Sequence, residues 1–252
     1  MVMKVDLNSD MGEGFGPWRM GDDAALLDVI TSANIACGFH AGDPDVMAET
    51  MRLAAKNGVG IGAHPGFADL KGFGRRRLNI GAEELGNMIA YQLGAAEGMA
   101  RSVGANIRHF KLHGALANMC AEDATLAKTC YSAALRVNPE IILMVLAETA
   151  QQAVVQELGA NWAGEIFADR AYEDDATLVD RSKAGAVLHD ADMAAERILN
   201  MLREDAIIAE SGKRIPAKID TICLHGDTPE AVEMARALRT KLSAAGVTLA
   251  MF

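Results

Sequence analysis

The stretch MKVDLNSDMGEG, residues 3–14, predicts a buried first strand that ends in a polar, glycine-rich loop. Successive side chains of a strand point to opposite faces, so Asp6, Asn8 and Asp10 share one face and the apolar residues between them share the other. In a barrel, the helix-facing side of each strand is apolar, so we expect these three polar side chains to point inward. Burying a carboxylate is costly unless it is paired, which predicts either an ion-pair network or a catalytic site.

The same alternation of a short β-like run and a longer helical run continues along the chain. Strands are predicted near residues 3–9, 32–37, 58–63, 106–112, 140–146, 162–167 and 218–224. Helices are predicted near residues 22–31, 44–57, 82–104, 122–137, 148–158, 190–211 and 228–245. About seven β-then-α units favour a parallel sheet, and closing that sheet into a (β/α) barrel is economical at this length. We predict a single barrel domain over residues 1–252, with a doubly wound open α/β sheet as the alternative.

Helix ends carry their own signals. Asp43-Pro44 and Thr228-Pro229 are typical of a capping residue followed by proline in the first turn. Four glycines are expected to end helices in the left-handed conformation: Gly58, Gly104, Gly159 and Gly246.

Composition excludes several classes of protein. The net charge of −10 disfavours a nucleic-acid partner, because an acidic surface repels phosphate backbones. No apolar run is long enough to cross a membrane, and residues 1–7 show no h-region or cleavage site of a signal peptide, so we expect neither a membrane span nor a secretory leader. The four cysteines show no CxxC spacing and lie among apolar residues, so we expect buried free thiols and a cytoplasmic protein.

Polar segments follow the predicted strands, where α/β barrels place their sites. Four of the six histidines fall in these segments: His40, His64, His113 and His225. The fourth strand repeats the pattern of the first, because His109, Lys111 and His113 share one face. We therefore expect Asp10 and Lys111 to meet histidines at one end of the barrel.

Each candidate also has a structural interpretation. Asp10 could cap its loop instead of orienting a histidine or binding a cation, and Glu13 could be solvated instead of catalytic. His40 could be a packed core residue, and we predict that His109 and His189 are structural. Burial would lower the pKa of Lys111 and a nearby carboxylate would keep it charged; either state suits an electrophile or a base.

Arginines supply a second kind of candidate. The segment Lys71-Gly72-Phe73-Gly74-Arg75-Arg76-Arg77 suits carboxylate or phosphate binding, and a solvated or subunit-contacting loop is the alternative. Asp169-Arg170 could be a local ion pair or a substrate clamp. The sequence has no GxxxxGK[ST] loop, HExxH or GxSxG motif. A metal ion remains possible, with His40, His64 and Asp10 as its ligands.

These segments closely resemble the LamB/YcsF family, and the matching blocks span nearly the whole chain in order. The blocks are residues 6–13 with Gly16, then 34–44, 62–66, 72–76, Lys111 with 113–116, 167–172, 178–181 and 225–227. The departures are small: the family usually has Ala for Ser9, Ser for Gly66, Pro for Leu112 and Tyr for Ala117. The charged and imidazole positions are retained.

The resemblance implies a seven-stranded parallel (β/α) barrel of the glycoside hydrolase/deacetylase type. It also implies the A subunit of an ATP-dependent 5-oxoprolinase, with ATP as co-substrate and B and C subunits as partners. On this hypothesis His64 or His113, oriented by Asp10, activates water, while Lys111 and a second histidine stabilise the oxyanion. The expected catalytic residues are Asp10, His40, His64, Lys111 and His113. The expected substrate-binding residues are Asn8, Glu13, Arg75, Arg76, Asp169, Arg170, His225 and Asp227.

Two other functions stay open at this point. One is a metal-dependent amide or carbohydrate deacetylase, and the other is a non-catalytic subunit that binds the lactam and presents it to its partners.

Overall fold

Seven parallel strands close into a barrel in the computed structural model, which describes residues 3–188, 190–224 and 231–252. The described residues contain ten strands in all: β1 (Lys4–Met11), β2 (Ser32–Ala36), β3 (Gly60–His64), β4 (His109–Lys111), β5 (Ile142–Leu146), β6 (Trp162–Phe167), β7 (Ala206–Ile208), β8 (Arg214–Pro216), β9 (Thr221–Leu224) and β10 (Thr248–Leu249). The barrel runs β1-β2-β3-β4-β5-β6-β9, and β9 pairs with β1 to close it. The predicted seven-stranded barrel is confirmed, and the open-sheet alternative is wrong because no barrel strand is left as an edge among the described residues.

Helices surround the barrel. They are α1 (Asp23–Leu27), α2 (Pro44–Lys56), α3 (Ala82–Ser102), α4 (Gly114–Glu122), α5 (Ala124–Val137), α6 (Ala150–Glu157), α7 (Ala191–Glu204) and α8 (Ala231–Ala244). Asp43 caps α2 as predicted, since its Oδ1 accepts hydrogen bonds from the backbone N–H groups of Asp45 and Val46 at 2.8 and 3.0 Å. The four predicted helix-ending glycines all have positive φ, between 63° and 80°. The second predicted cap, Thr228, lies outside the described residues.

Several elements differ from the prediction. Helix α4 occupies a segment predicted as loop, and Asp123 then caps a separate helix α5. The helix predicted over 190–211 ends at Glu204, because Asp205 adopts a left-handed conformation with φ 46°. The chain continues as the antiparallel hairpin β7–β8, and the short strand β10 adds to the start of β1.

The interior of the barrel is polar, as the alternation in β1 predicts. The Asp6 carboxylate accepts hydrogen bonds from the hydroxyls of Thr31, Ser32 and Thr221 at 2.5–2.7 Å. Above it, the Asn34 amide donates to Asn8 at 2.7 Å. These bonds satisfy polar groups that would otherwise be costly to bury, and they fix the side chains beneath the mouth of the barrel.

The two ends of the barrel differ. At the base, the C-terminal residues Met251 and Phe252 lie against the starts of the strands, with the Phe252 ring 5.6 Å from the His109 ring. The carboxyl ends of the strands open at the other end, which holds the candidate site. No helix of the described residues is both long and apolar enough to span a membrane.

Candidate active site

The predicted acid, base and imidazole residues meet at the carboxyl ends of the strands. Asp10 lies near the end of β1, His64 and Lys111 are the last residues of β3 and β4, and His113 directly precedes α4. These four residues, with Glu13 from the loop after β1, line a cavity of about 430 Å³. The main candidates of the sequence therefore lie in one place, as barrel topology requires.

Lys111 is buried between two carboxylates. Its Nζ donates to Asp10 Oδ1 at 2.9 Å, to Cys223 Sγ at 3.0 Å and to Asn8 Oδ1 at 3.5 Å, and it forms an ion pair with Glu165 Oε1 at 2.8 Å. Burial alone would lower the pKa of Lys111, but the charges of Asp10 and Glu165 outweigh it and hold the pKa well above its usual range. An ammonium has three donors, and protein acceptors take all three. Lys111 is therefore a charged residue that positions Asp10 and Glu165.

Asp10 is held from both sides. Its Oδ1 accepts from Lys111 and, at 2.9 Å, from the Asn34 amide, while its Oδ2 lies 3.2 Å from His64 Nε2. This arrangement fixes the direction of the carboxylate toward the histidines.

His64 and His113 have defined tautomers. His64 Nδ1 lies 2.9 Å from the backbone carbonyl oxygen of Lys111, and His113 Nε2 lies 2.9 Å from that of Phe73. A carbonyl oxygen only accepts, so each ring donates its outer N–H there. The inner nitrogens, His64 Nε2 and His113 Nδ1, consequently face each other at 3.0 Å.

His40 lies behind this pair. Its ring stacks on His113 with centroids 3.7 Å apart and an interplanar angle of 7°. It is fully buried, and neither of its ring nitrogens has a hydrogen-bond partner among the described residues. Burial lowers the pKa values of His40 and His113 well below the usual range, so both rings are neutral near pH 7.

The candidate metal ligands differ from the predicted set. Glu13, His40, His64 and His113 each offer an atom within 4.8 Å of the others. This cluster replaces Asp10 of the predicted trio with Glu13 and adds His113. His109 is separate from the cluster: it bonds to Asn34 Oδ1 at 2.7 Å, and burial lowers its pKa to about 3.

The arginines divide into two groups. Arg75 lines the cavity and stacks on Phe73, with its guanidinium 4.8 Å from the ring centroid. Arg76 pairs with Asp69 and is absent from the cavity wall, so the structure places it apart from the predicted site. Arg170 lines the cavity, but its guanidinium donates to the backbone carbonyls of Ala186 and Val179. Burial lowers the pKa of Arg170 to about 10.

Other predicted residues lie away from the cavity wall. Asn8 is buried beneath it and donates to Thr221 Oγ1 at 2.7 Å. Asp169 is buried next to Arg170 and does not line the cavity. His225 and Asp227, and the predicted structural residue His189, lie outside the described residues.

Several charged residues of the cavity wall were not named as site residues from the sequence, among them Glu165, Arg77 and Arg181. Glu165 is 3% exposed, and the sequence did contain a sign of its role, because it is the lone carboxylate inside the strand Trp162–Phe167. Arg77, which pairs with Glu122, was quoted with the arginine segment but not chosen. Arg181 follows no strand, but it lies in the block 178–181 that matches the LamB/YcsF family.

Known proteins resemble this chain at several levels. A Ruegeria pomeroyi protein named as the A subunit of 5-oxoprolinase is 64% identical, and the match covers 100% of this chain and 99% of the relative. The crystal structure of the lactam utilization protein from Thermus thermophilus is 39% identical, covers 99% of this chain and 100% of that one, and superposes with a TM-score of 0.93. A family 4 carbohydrate esterase from Streptomyces lividans shares the fold alone, at 10% identity and a TM-score of 0.53 over 99% and 92% of the two chains. The LamB/YcsF family model matches residues 5–252, and the chain belongs to the LamB/YcsF family.

Proposed function

We propose that this chain is the A subunit of an ATP-dependent 5-oxoprolinase and opens the lactam ring of 5-oxo-L-proline to L-glutamate. One observation carries the proposal: Asp10, His64 and His113 converge within 3.0–3.2 Å on the wall of the cavity. Relatives at 64% and 53% identity that are named as the A subunit of 5-oxoprolinase support it. We further propose B and C subunits as partners and ATP as the co-substrate of the assembled enzyme.

The chemistry explains why ATP is needed. A five-membered lactam is a stabilised amide, and opening it with water alone is unfavourable. Transfer of the ATP γ-phosphoryl group to the lactam oxygen would turn that oxygen into a leaving group and make the ring carbon open to attack. Water then adds to the carbon and the C–N bond breaks, so that the nitrogen leaves as the amine and the carbon is left as an acyl phosphate. A second water hydrolyses the acyl phosphate, which gives the side-chain carboxylate of L-glutamate and phosphate, with ADP already released by the phosphoryl transfer.

Asp10, His64 and His113 are suited to hold the attacking water. A water at the inner nitrogens would donate one hydrogen to an imidazole and the other to Asp10 Oδ2, which lies 3.2 Å from His64 Nε2. Its lone pairs would then face the cavity. Asp10 accepts the proton, and Lys111 holds the Asp10 carboxylate in place because its ammonium bonds to Oδ1.

Arginines suit the anionic groups of the substrate. Arg75, Arg77 and Arg181 line the cavity, and 5-oxoproline carries one carboxylate and gains a phosphoryl group during the reaction. We assign Arg75 to the substrate carboxylate or the transferred phosphoryl group, in preference to Arg76 and Arg170. Removing one donor from a developing oxyanion costs about 2.7–4 kcal/mol in other hydrolases.

Glutamate release tests the proposal. Two samples are incubated with 5-oxoproline, each with and without ATP. One contains the chain alone, and the other contains the chain with its B and C partners. We expect release only from the full mixture with ATP. Release that does not need ATP, or no release from a mixture whose partners are shown to be competent, would overturn the proposal.

Variants test the assigned residues in the same assay. We expect Asp10→Asn and His64→Gln to lower kcat by about 100-fold or more, the size typical of a lost general base. Lys128→Ala is the control, because Lys128 pairs with Glu157 on the surface and its side chain is 52% exposed. Full activity in both active-site variants would remove these residues from the mechanism.

The deacetylase alternative has less support. The likeness to carbohydrate esterases is one of fold, at 10% identity, and no comparison favours that alternative.

The cysteines bear on where the protein works. All four are buried free thiols, and Cys120 Sγ and Cys130 Sγ lie 3.8 Å apart without a disulfide between them. Thiols stay reduced in the cytoplasm, which supports our proposal of a cytoplasmic location.

A further inference from the structure

The two inner histidine nitrogens pose a problem that the lactam chemistry does not solve. His64 Nε2 and His113 Nδ1 face each other at 3.0 Å, and each ring has already given its outer N–H to a backbone carbonyl. If neither facing nitrogen carries a proton, both carry lone pairs, which repel at this distance. A positive group between or beside them relieves this repulsion: a shared proton, a hydrogen of a bound water, or a cation.

The surroundings favour a cation. Glu13 Oε1 lies 3.7 Å from His113 Nδ1 and also 3.7 Å from His40 Nε2. Atoms bound to one tetrahedral zinc ion at about 2.0–2.2 Å lie roughly 3.3–3.6 Å from each other. The observed separations of 3.0 and 3.7 Å bracket that range, so small side-chain movements would complete a coordination shell.

The hydrogen bonds made by the outer ring nitrogens of His64 and His113 also favour a cation. Histidines that bind metal ions almost always donate their second ring N–H to a carbonyl, a carboxylate or water, which fixes the tautomer and the ring direction. His64 does this with the carbonyl of Lys111, and His113 does it with the carbonyl of Phe73.

Ring stacking decides which histidines can bind together. His40 and His113 are parallel within 7°, and a ring nitrogen binds a metal ion in the plane of its own ring. One ion cannot lie in both planes, so His40 and His113 cannot share it without moving. His64 and His113 are nearly perpendicular, at 87°, and their planes intersect. His64, His113 and Glu13 line the cavity, whereas His40 does not.

We propose that His64 Nε2, His113 Nδ1 and a Glu13 carboxylate oxygen bind one divalent transition-metal ion of the zinc class. Two imidazoles and a carboxylate suit zinc or cobalt better than magnesium or calcium, which prefer oxygen ligands alone. Three protein ligands with an open side facing a cavity are typical of a catalytic site. His40 packs behind His113 with two unpartnered buried nitrogens, and we assign it the role of holding the His113 ring in place.

Asp10 borders this site without belonging to it. Its Oδ1 is held by Lys111 and Asn34, and its Oδ2 faces His64 Nε2 at 3.2 Å. With the ion bound, the inner imidazole nitrogens would be its ligands, so the attacking water would be held at the open side of the ion and by Asp10 instead of by an imidazole. The ion would supply a positive charge there, and Asp10 would remain the proton acceptor.

Metal binding is measured on the chain alone, without a polyhistidine tag, 5-oxoproline, ATP or the B and C partners. The result is therefore independent of the proposed reaction. The chain is treated with a chelator and dialysed, and Zn²⁺ or Co²⁺ is then titrated by calorimetry. We expect about one ion per chain, a visible d–d absorption with Co²⁺ of the strength of a four- or five-coordinate site, and a rise in Tm on adding Zn²⁺.

Variants locate the site. We expect His113→Gln and Glu13→Gln to lose the stoichiometric binding, the Co²⁺ absorption and the zinc-induced rise in Tm. Asn118→Ala should keep all three, because Asn118 also lines the cavity but is exposed and lies outside the ligand set. Circular dichroism of the metal-free variants checks the fold, and Glu13→Gln, in a loop, serves if His113→Gln does not fold.

Two results would overturn the proposal. One is that the wild-type chain binds less than a stoichiometric amount of either ion, which would leave a shared proton or a bound water at the histidines. The other is binding that persists unchanged in both ligand variants, which would place the ion elsewhere.

Discussion

Lys111 neutralises two carboxylates inside the barrel. Both Asp10 and Glu165 are at most 9% exposed, and the Lys111 ammonium lies within 3 Å of each. The Lys111 ammonium is therefore needed for the stability of the fold as well as for the reaction.

This arrangement predicts a large loss of stability in Lys111→Met. Methionine fills a similar volume but leaves two buried carboxylates next to each other, and breaking a buried ion pair from one side costs about 3–5 kcal/mol. Urea unfolding measures the change in the free energy of unfolding. Lys183→Met is the matched control: Lys183 pairs with Glu173 at 2.8 Å, but its side chain is 60% exposed, so no measurable loss is expected. Equal losses in the two variants would contradict the argument.

At the residue scale, strand alternation was the part of the sequence that could be interpreted directly. It placed Asp10 on the inner face of β1, and Lys111 and His113 on the same face of the β4 segment, because the period of two is fixed by backbone geometry. It could not place Arg76 or Arg170. Their guanidinium groups are taken by Asp69 and by loop carbonyls, and such pairing depends on how loops fold back, which has no period in the sequence.

Gly62 in β3 and Gly94 in α3 affect the stability of the fold in opposite directions. Gly62 in β3 leaves the space that the His109 ring occupies, since a Cβ built on Gly62 would overlap that ring. His109 in turn bonds to Asn34, which donates to Asp10. Gly94 in α3 is exposed, and an added Cβ there would meet nothing within 4 Å.

We expect Gly94→Ala to raise the free energy of unfolding by about 0.5–1 kcal/mol, because glycine is a poor residue in a helix interior. Gly62→Ala should lower it and also reduce activity, because displacing His109 disturbs the bonds that hold Asn34 and Asp10. Thermal unfolding with the glutamate-release assay measures both effects. The explanation fails if Gly62→Ala is as stable as the wild type, or if Gly94→Ala is destabilised.

At the element scale, tertiary context explains the errors. The predicted helix over 190–211 included Ala206, Ile207 and Ile208, which form the strand β7 because they pair with β8. Only the left-handed turn at Asp205 separates the two elements, and aspartate in that conformation is not distinctive in a sequence. Helix α4 was missed for a related reason: it begins at Gly114, a residue that usually ends helices.

The two ends of the barrel have separate roles, one in stability and the other in the candidate chemistry. When the chemistry lies at the carboxyl ends of the strands, the base of a barrel serves stability. Here Met251 and Phe252 cover the base: Met251 lies against Gly60 at the start of β3, and Phe252 packs near His109 and under the Arg108 guanidinium, 5.8 Å from its ring centroid. The cavity lies at the opposite end and is lined by neither residue.

This division predicts that the base can be weakened without changing the chemistry. We expect the double variant Met251→Ala/Phe252→Ala to lose about 1–3 kcal/mol, the range for removing half-buried apolar side chains, while kcat/KM for 5-oxoproline in the full complex stays at the wild-type value. Differential scanning calorimetry gives the change in Tm, and the glutamate-release assay is run well below it. Met193→Ala is the control for the loss of a methionine, since Met193 on α7 is 63% exposed and its removal should leave Tm unchanged. The prediction is wrong if the double variant is fully folded at the assay temperature and kcat/KM nevertheless falls. The base and the mouth would then be coupled through the polar interior, and the hydrogen bonds from His109 through Asn34 to Asp10 are the path to test next.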